Sequence, residues 1–399
     1  MKAVILAAGE GTRMHPLTAA CPKVMLSVAN RPVLEHIIVS AKDAGITDFV
    51  CVVGYMGDAV RNYFGDGSSL GVRIDYVEQK EQLGTADAIY AVRDLVEGRF
   101  IVLNGDAIIK SSDIRSLMDY KEDIVLALKK LKNPAGYGVV KTTGSEIVEI
   151  IEKPEHGTIN LVNAGIYLFP DLIFDAIRTT EKSVRGEYEI TDSINALIGN
   201  VRVSYLMLDT WIDIGRPWNL LDANEYLLSN LKREFFGKIE PYTTLNGKIS
   251  VGKGTLIRNG SYILGPVAIA ENCDIGPNCF IRPYTSIGNN VRIGNAVEVK
   301  NSIVMDGTQI GHLSYVGDSI IGHNCNIAAG TKIANLRHDG ENIHVMVNNT
   351  SVDTGRRKLG VIMGDCVHTG INTSINVGVL MDAGRSTYPG EVVMGYEKG

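Results

Sequence analysis

Short runs of aliphatic and β-branched residues recur through the first part of the chain, at Val4–Leu6, Val50–Val53, Ile101–Leu103 and Ile124–Leu126. Stretches with helical apolar spacing, such as 31–44 and 84–96, lie between them. Runs that are apolar throughout belong to strands buried on both faces, and their alternation with helices predicts an α/β domain with a largely parallel sheet. Residues 219–236 then read as one helix stopped by Gly237, a natural connection between two parts of the chain.

Beyond about residue 250 the period changes to six. Val251, Ile257, Ile263, Ile269, Ile275, Ile281, Ile287, Ile293 and Val299 are aliphatic at unbroken spacing. The phase slips by one to Val304, Ile310 and Val316, slips again to Ile321, and continues through Ile327 and Ile333. One inward aliphatic per six residues predicts a parallel β-helix, three units making a triangular coil of about 18 residues. A β-sandwich would instead alternate apolar and polar residues along longer strands. Residues 334–360 break the pattern and are expected to form an excursion loop. A weaker phase then returns at Met363, Thr369, Ile375, Met381, Thr387 and Val393. The expected domains are 1–228, a linker helix and connection at 229–245, and a β-helix over 246–399.

Composition narrows the chemistry. The 43 glycines among 399 residues follow no collagen-like period, so tight turns or a glycine-using repeat must absorb them. With 39 basic and 45 acidic side chains the net charge is −6, which offers no footprint for nucleic acid or an anionic membrane. Small-molecule chemistry is favoured. The six cysteines contain no CxxC pair, so neither a zinc site nor a disulfide framework is indicated and reduced thiols in the cytoplasm are expected. No signal-like h-region or membrane-spanning apolar stretch is visible, and the protein is expected to be soluble.

Directly after the first strand, Leu6-Ala-Ala8-Gly9-Glu-Gly11-Thr12-Arg13, with Pro22-Lys23 beyond it, offers backbone N–H groups and two cations to an anion such as a triphosphate. This stretch resembles the signature of the sugar-1-phosphate nucleotidylyltransferases. Seven further matches follow in that family's order over residues 1–230. Gln79 with Gln82-Leu83-Gly84-Thr85-Ala86 resembles the segment that reads the pyrimidine base. Asn104-Gly105-Asp106 and Trp211-Ile212-Asp213-Ile214-Gly215 resemble the carriers of the two Mg²⁺ carboxylates, Asp106 and Asp213. Tyr137-Gly138, Glu152-Lys153-Pro154, Asn163-Ala164-Gly165 and Gly186–Asp192 resemble the sugar-binding strands and loops, implying Gly138, Glu152 and Asn163 as sugar-phosphate ligands. The resemblance further implies Leu6, Ala8, Gly9, Gly11, Thr12, Gln79, Gln82, Gly84 and Thr85 around the nucleotide, with Arg13 and Lys23 as catalytic cations. The ten-residue spacing from Arg13 to Lys23 and the Trp-x-Asp-x-Gly motif look like the thymidylyltransferase branch. Gln-Leu-Gly-Thr-Ala and Gly-Glu-Tyr-x-Ile-Thr-Asp look like the uridylyltransferase branch. UTP and dTTP both stay open as the co-substrate.

The C-terminal stretch 297–335 carries Val297-Glu-Val-Lys300, Gly311-His312-Leu-Ser-Tyr315-Val-Gly317-Asp318 and Asn324-Cys-Asn326 through Asn335. It resembles the acetyltransferase half of the bifunctional enzymes that make UDP-N-acetylglucosamine, of the archaeal type. That resemblance implies a left-handed β-helix, acetyl-CoA as second co-substrate and a homotrimer. It also implies Arg282 and Lys300 at the sugar phosphate, Tyr315 and Asn326 at the sugar, Asn335 at the reacting groups, and His312 as the base. An amino sugar arrives mainly as the ammonium and must lose a proton to attack a thioester, and histidine titrates in the right range for that. Glu298 is a candidate partner for the substrate amine. Glu341, Asn342 and His344 stand where relatives often carry lysines, and Arg356-Arg357-Lys358 is an alternative basic cluster for the acetyl-CoA phosphates. Two competing readings are a regulatory subunit of the same build, and a glucose-1-phosphate thymidylyltransferase whose β-helix only oligomerises. The first does not need Lys23, Asp106, Asp213 and His312 together. The second does not need His312 with Lys300 and Asn335.

Overall fold

The computed structural model describes residues 1–154, 159–347 and 350–395. The last residues of the expected C-terminal domain, 396–399, lie outside them. The chain forms two compact units: one comprises Met1–Glu10 and Val33–Asp213, the other Gly11–Pro32 and everything from Ile214 onward.

The first unit is built on a nine-stranded sheet in the order Arg73–Glu78, Asp48–Val53, Lys2–Ala7, Phe100–Asn104, Leu161–Phe169, Ile124–Lys130, Val203–Met207, Glu146–Ile151, Val139–Thr143. Its first four strands run parallel, as the apolar runs in three of them predict; the edge strand Arg73–Glu78 is polar and half-exposed. Leu161–Phe169 then enters antiparallel to both of its neighbours, and the meander at 139–151 is antiparallel too. The sheet is therefore more mixed than the sequence pattern suggests. Val4, Val50, Val102, Leu126 and Phe169 are fully buried, and helices such as Val33–Ala44 turn their apolar stripes to the sheet. The stretch 84–96 is helical only over Thr85–Tyr90 and continues in turns.

The second unit is the parallel β-helix of the left-handed hexapeptide type. Two sheets hold eight strands each and a third holds six. Successive coils pair in register 18 residues apart, as Ile257 with Ile275, and 17 apart after the phase slips, as Ile293 with Ile310. Every aliphatic of the six-residue series is buried in one continuous core. At the corners the backbone repeatedly enters the left-handed region, at Asn272, Asn278, Asn290, Asn324 and Asn372 with φ of 54–58°. Asparagine tolerates that conformation better than other side-chain-bearing residues. A Cβ at Gly254, Gly260, Gly307 or Gly330 would lie 2.1–2.2 Å from the Oδ1 of the asparagine one coil further on. This column explains part of the glycine excess.

The linking helix is shorter than its sequence suggests. It spans Asn219–Ser229, and Glu234–Phe235 already pairs with Ser250–Val251 as the first strand of the β-helix. Ile239 and Leu245 extend the six-residue phase backward and pack on the core, so the first coil is written in the sequence. The excursion is not all loop, since His344–Val347 and Thr350–Asp353 form an antiparallel hairpin before Ile362 rejoins its column opposite Ile320.

Residues 11–32 belong to the second unit through the linking helix. Asn224, fully buried, accepts from the Ala29 N–H through Oδ1 at 3.0 Å and donates through Nδ2 to the Tyr284 carbonyl at 2.8 Å. One amide thus fastens the short hairpin Ser27–Pro32 to a corner of the β-helix.

Ile293→Ala removes a fully buried column residue in mid-stack, where rigid coils above and below cannot collapse into the cavity. It is expected to cost about 3–5 kcal/mol in chemical denaturation. Arg292→Ala, on the exposed side of the same strand, should stay within about 0.5 kcal/mol of the parent.

Candidate active sites

In the first unit the strand Lys2–Ala7 ends where the nucleotide loop begins. Leu6 pairs with Asn104 across the ladder, and its carbonyl accepts the Gly105 N–H at 2.9 Å, which fixes the backbone that carries Asp106. The Ala8 carbonyl accepts from Gln82 Nε2 at 3.1 Å and from the Tyr55 N–H at 3.2 Å. Gln79, 8% exposed, spends its amide hydrogens on the Gly84 carbonyl at 3.1 Å and Asp87 Oδ2 at 2.8 Å, so Oε1 is the group it can offer a base edge. Gly9 is exposed at the loop tip.

Gly84 has φ 119°, and a Cβ there would lie 2.4 Å from the Tyr188 carbonyl oxygen. This bare backbone lets two loops zip together: the Tyr188 N–H donates to the Leu83 carbonyl and the Ala86 N–H to the Tyr188 carbonyl. The Ile190 N–H completes the seam by donating to Thr85 Oγ1 at 3.1 Å, so that hydroxyl joins the base-reading segment to the sugar loop.

Asp106 and Asp213 meet through a two-stranded ladder in which Ala107 pairs with Asp213. Asp113, 6% exposed, holds the approach to Asp213 by accepting from the Thr210 N–H at 3.1 Å. Tyr137 donates its hydroxyl to Asp213 Oδ2 at 2.9 Å while its ring packs edge-on against Trp211. No cluster of three or more His, Cys, Asp or Glu able to hold a metal exists among the described residues. Two hard carboxylates at adjoining register positions suit an ion such as Mg²⁺, which takes one or two protein oxygens and completes its shell with phosphates and water.

The sugar segment is equally tied. The Asn163 N–H donates to the Gly138 carbonyl, Asn163 Nδ2 to Tyr167 Oη at 2.7 Å, and the Gly165 N–H to Asn163 Oδ1 at 3.1 Å. A Cβ at Gly165 would fall 1.9 Å from Asn104 Nδ2, and one at Gly138 would lie 3.0 Å from Glu152 Oε2. Glu152 accepts from Thr191 and Arg185, both at 3.3 Å, and Arg185 also pairs with Glu187 and Glu189. Burial, with the Glu152 charge adding, raises the carboxyls of Glu189 and Asp192 above their ordinary range. Arg185 lies outside the expected ligand set, yet it is the counter-charge for three carboxylates.

In the second unit, Gly11 takes φ 70°, and a Cβ there would lie 2.8 Å from Lys23 Cβ. The Gly11 carbonyl accepts from Thr18 Oγ1 at 3.1 Å and from the Met14 N–H, leaving Thr12 and Arg13 exposed on a single 3₁₀ turn. Lys23 opens a second such turn. Arg216 is the residue the sequence motifs missed: burial and then the Arg13 charge depress its guanidinium pKa. Arg216 thus feels a second guanidinium across the turn that carries Arg13. The position directly after Gly215 was the available signal.

The C-terminal constellation lies on one β-helix face and its corners. Glu298 stacks on Tyr315, and Lys300 on Gly317. Arg282 Nη1 pairs with Glu298 Oε1 at 2.8 Å, so in this state Glu298 serves the arginine. Lys300 Nζ lies 2.9 Å from Asp318 Oδ2, and Asn335 Nδ2 donates to Tyr315 Oη at 3.1 Å. His312 is exposed at the corner before Tyr315, and the Asn295 N–H donates to its Nδ1 at 3.3 Å. At that length the bond is weak. Asn326 lies on a different sheet, opposite Gln309, apart from Tyr315 and Asn335 within this chain. Of the basic cluster, Arg356 is committed to Asp222 on the linking helix and Arg357 to the Gly340 carbonyl.

Comparison with known proteins places both halves. Residues 2–230 match the family model described as nucleotidyl transferase, and residues 263–381 match one described as the GMPPB C-terminal domain. The chain is 42% identical over 95% of its length, and 91% of the relative's, to the bifunctional protein GlmU of Methanocaldococcus jannaschii. It is 39% identical to the bifunctional sugar-1-phosphate nucleotidylyltransferase/acetyltransferase of Sulfurisphaera tokodaii, covering 98% and 97% of the two chains. Among solved structures, one named as a glucose-1-phosphate thymidylyltransferase from Bacillus anthracis, with a sucrose, superposes with a TM-score of 0.53 at 31% identity. It spans 59% of this chain and 98% of that one.

Gly84→Ala tests the loop seam. Driving the base-reading segment off Tyr188 should lower kcat/KM for nucleotidyl transfer by about 10²-fold, as misplacements near 1 Å do, while circular dichroism stays that of the parent.

Proposed function

The chain belongs to the nucleotidyl transferase family, in its bifunctional nucleotidylyltransferase/acetyltransferase branch, and from that membership we propose that it makes UDP-N-acetylglucosamine in two steps. In the first, the amine of glucosamine 1-phosphate attacks the thioester carbon of acetyl-CoA. The C–N bond forms, the C–S bond breaks, and the proton lost from nitrogen ends on the departing thiolate. His312 takes that proton and passes it on, a role worth about 10² to 10⁴ in rate. Lys300 and Arg282 hold the sugar phosphate, Tyr315 and Asn335 the reacting end, and Asn326 the sugar.

In the second step a phosphate oxygen of N-acetylglucosamine 1-phosphate attacks the α-phosphorus of UTP and pyrophosphate leaves in line. Little covalent work falls to the protein, and catalysis is positioning and charge neutralisation. Asp106 and Asp213 are the residues to hold Mg²⁺, which when bound supplies Lewis-acid neutralisation of the phosphates. Arg13 and Lys23 add fixed cations, and Arg216, whose charge is felt by Arg13, joins them. Gln79 offers its Oε1 acceptor to the N–H of the pyrimidine imide. Glu152, Asn163 and Gly138 take the sugar. We assign residues 1–228 to nucleotidyl transfer and 246–399 to acetyl transfer, with segment 11–32 bridging the assignment through its packing on the second unit.

The observation that carries the acetyl half is that Lys300 and Asn335 are bonded to buried Asp318, and Asn335 to Tyr315, which lies on the strand whose preceding corner carries His312. A β-helix that only oligomerises has no use for it. No helix among the described residues is long and apolar enough to cross a membrane, which supports a chain that works on dissolved sugar phosphates.

Incubation with glucosamine 1-phosphate, acetyl-CoA and UTP, omitting each in turn, should give UDP-N-acetylglucosamine only from the complete mixture. Product from glucose 1-phosphate and dTTP alone, with no acetyl transfer at all, would establish the thymidylyltransferase reading instead. His312→Ala should lose about 10² to 10⁴ of acetyl transfer and keep UTP-dependent conversion of N-acetylglucosamine 1-phosphate, while Asp106→Ala and Asp213→Ala should do the reverse. Light scattering should report a homotrimer, in which neighbouring chains complete the acetyl site. A stable monomer at micromolar concentration would refute that assembly.

A further inference from the structure

The six-residue period is interrupted twice before the excursion, and both interruptions fall at the same corner of the β-helix. Val299 is followed by Val304 and Val316 by Ile321, five residues instead of six. In the preceding regular coil this corner places Tyr284 in the left-handed region. In the two shortened corners the residues there are Asn301, φ 44°, and Asp318, φ 51°. The left-handed residue is thus common to regular and shortened corners, and what sets the shortened ones apart is that an amide and a carboxylate stand there.

Asp318 is 2% exposed. A buried carboxylate survives only when donors surround it, and this one has three. Lys300 Nζ reaches Oδ2 at 2.9 Å, Asn335 Nδ2 donates to the same oxygen, and Asn301 Nδ2 donates to Oδ1 at 2.9 Å. Its main chain is pinned as well, the N–H donating to the Lys300 carbonyl and the carbonyl accepting from the Gly360 N–H.

The polarity of the neighbouring groups follows from this anion. Because Asn335 turns its amide nitrogen inward, to Asp318 and to Tyr315 Oη, its Oδ1 is left as the outward acceptor. Because Tyr315 Oη already accepts from Asn335, its own proton is the one it can donate. A Cβ at Gly317 would lie 2.5 Å from Tyr315 Oη and 2.7 Å from Asn335 Nδ2, so the strand is bare where these groups cross it. We propose that Asp318 is the positioning residue of the acetyl-transfer site: it fixes the direction in which Asn335 accepts and Tyr315 donates, and anchors the Lys300 ammonium, without touching substrate. The inference rests on the acetyl-transferase reading above.

The test is Asp318→Asn, assayed for both activities of the intact protein. The carboxamide is nearly isosteric but lets the Asn335 amide turn over, so kcat for acetyl transfer should fall by about 10- to 100-fold. The KM for glucosamine 1-phosphate should not rise, because Lys300 remains a cation and the local charge becomes more positive. Nucleotidyl transfer should be unchanged. In an Asn335→Ala background the same substitution should cost less than about threefold, since the group it acts through is gone. A corner that is merely loosened predicts the opposite: KM rises as kcat falls, and the loss is equal in both backgrounds. Should Asp318→Asn fail to fold, Asn301→Ala removes one donor from the same carboxylate. It is expected to lower kcat about threefold with KM unchanged. A parent protein without acetyl transfer overturns the reading and this inference together. A parent that acetylates, with Asp318→Asn at full kcat or with equal losses in both backgrounds, overturns the role of Asp318 alone, as does Asn301→Ala at full kcat.

Discussion

The interior of the β-helix is so narrow that each strand fills it with one or two aliphatic side chains, as Ile249 and Val251 or Val267 and Ile269 do, and this steric limit governs the second unit. The column from Val251 to Val393 is apolar but for Thr369 and Thr387, whose hydroxyls pair with those of Thr331 and Thr373. Polar chemistry is thereby pushed to corners, outward faces and the excursion, which is where His312, Lys300, Tyr315 and Asn335 stand. Near-core polar atoms must find partners one coil away. The thiols of Cys273 and Cys279 donate to the carbonyls of Gly288 and Gly294, both at 3.0 Å. Burial pushes the Cys279 thiol up to about 11 and that of Cys325 to about 12, so these sulfurs behave as small apolar fillers with a donor, not as nucleophiles.

The first unit obeys a looser constraint. Its sheet has two broad faces to bury, and function collects at the ends of strands, where backbone groups run out of ladder partners. Close backbone approach substitutes there for side-chain packing: Gly84 against Tyr188, Gly165 against Asn104 and Gly138 against Glu152. The segments at Gly84 and Tyr188 are therefore braced against one another by main-chain hydrogen bonds, while Lys300, Asn301 and Asn335 are braced through side chains around a single carboxylate.

How much of this could be read from the chain alone depended on whether a feature is periodic, contiguous or neither. The β-helix is periodic and its phase named the central column, though not the flanking core residues such as Val267, Cys273 and Val291. Even the first coil, at Ile239 and Leu245, lies in phase, and only the helical look of the preceding stretch concealed it. Leu6–Gly9, Gly84-Thr85 and Asn104–Asp106 are contiguous motifs and lie on adjoining segments of the first unit, while the signature loop from Gly11 onward belongs to the second. The antiparallel entry of Leu161–Phe169 has no local signal, because an apolar run buried on both faces looks the same in either direction. Arg216, Arg185 and Asp318 are neither periodic nor part of a residue pattern that demands them. They acquire meaning from neighbours tens of residues away. The slips at Val304 and Ile321 were visible as irregularities, but what they accomplish appears only once the corner residues have φ values.

The fastening of Ala29 to Asn224 sets an order on the making of this protein. The two residues are 195 positions apart, so the hairpin that follows the phosphate-binding turn has no buried amide to receive it until the linking helix has been synthesised. At about 5 to 20 residues per second, that interval is roughly 10 to 40 s on the ribosome. Throughout it the strands of the parallel sheet can already pair, while the stretch carrying Arg13 and Lys23 waits without its packing surface. The stretch carrying Arg13 and Lys23 thus finds its packing surface only after the sheet beside it in sequence is complete, and the same helix then leads into the first coil of the β-helix.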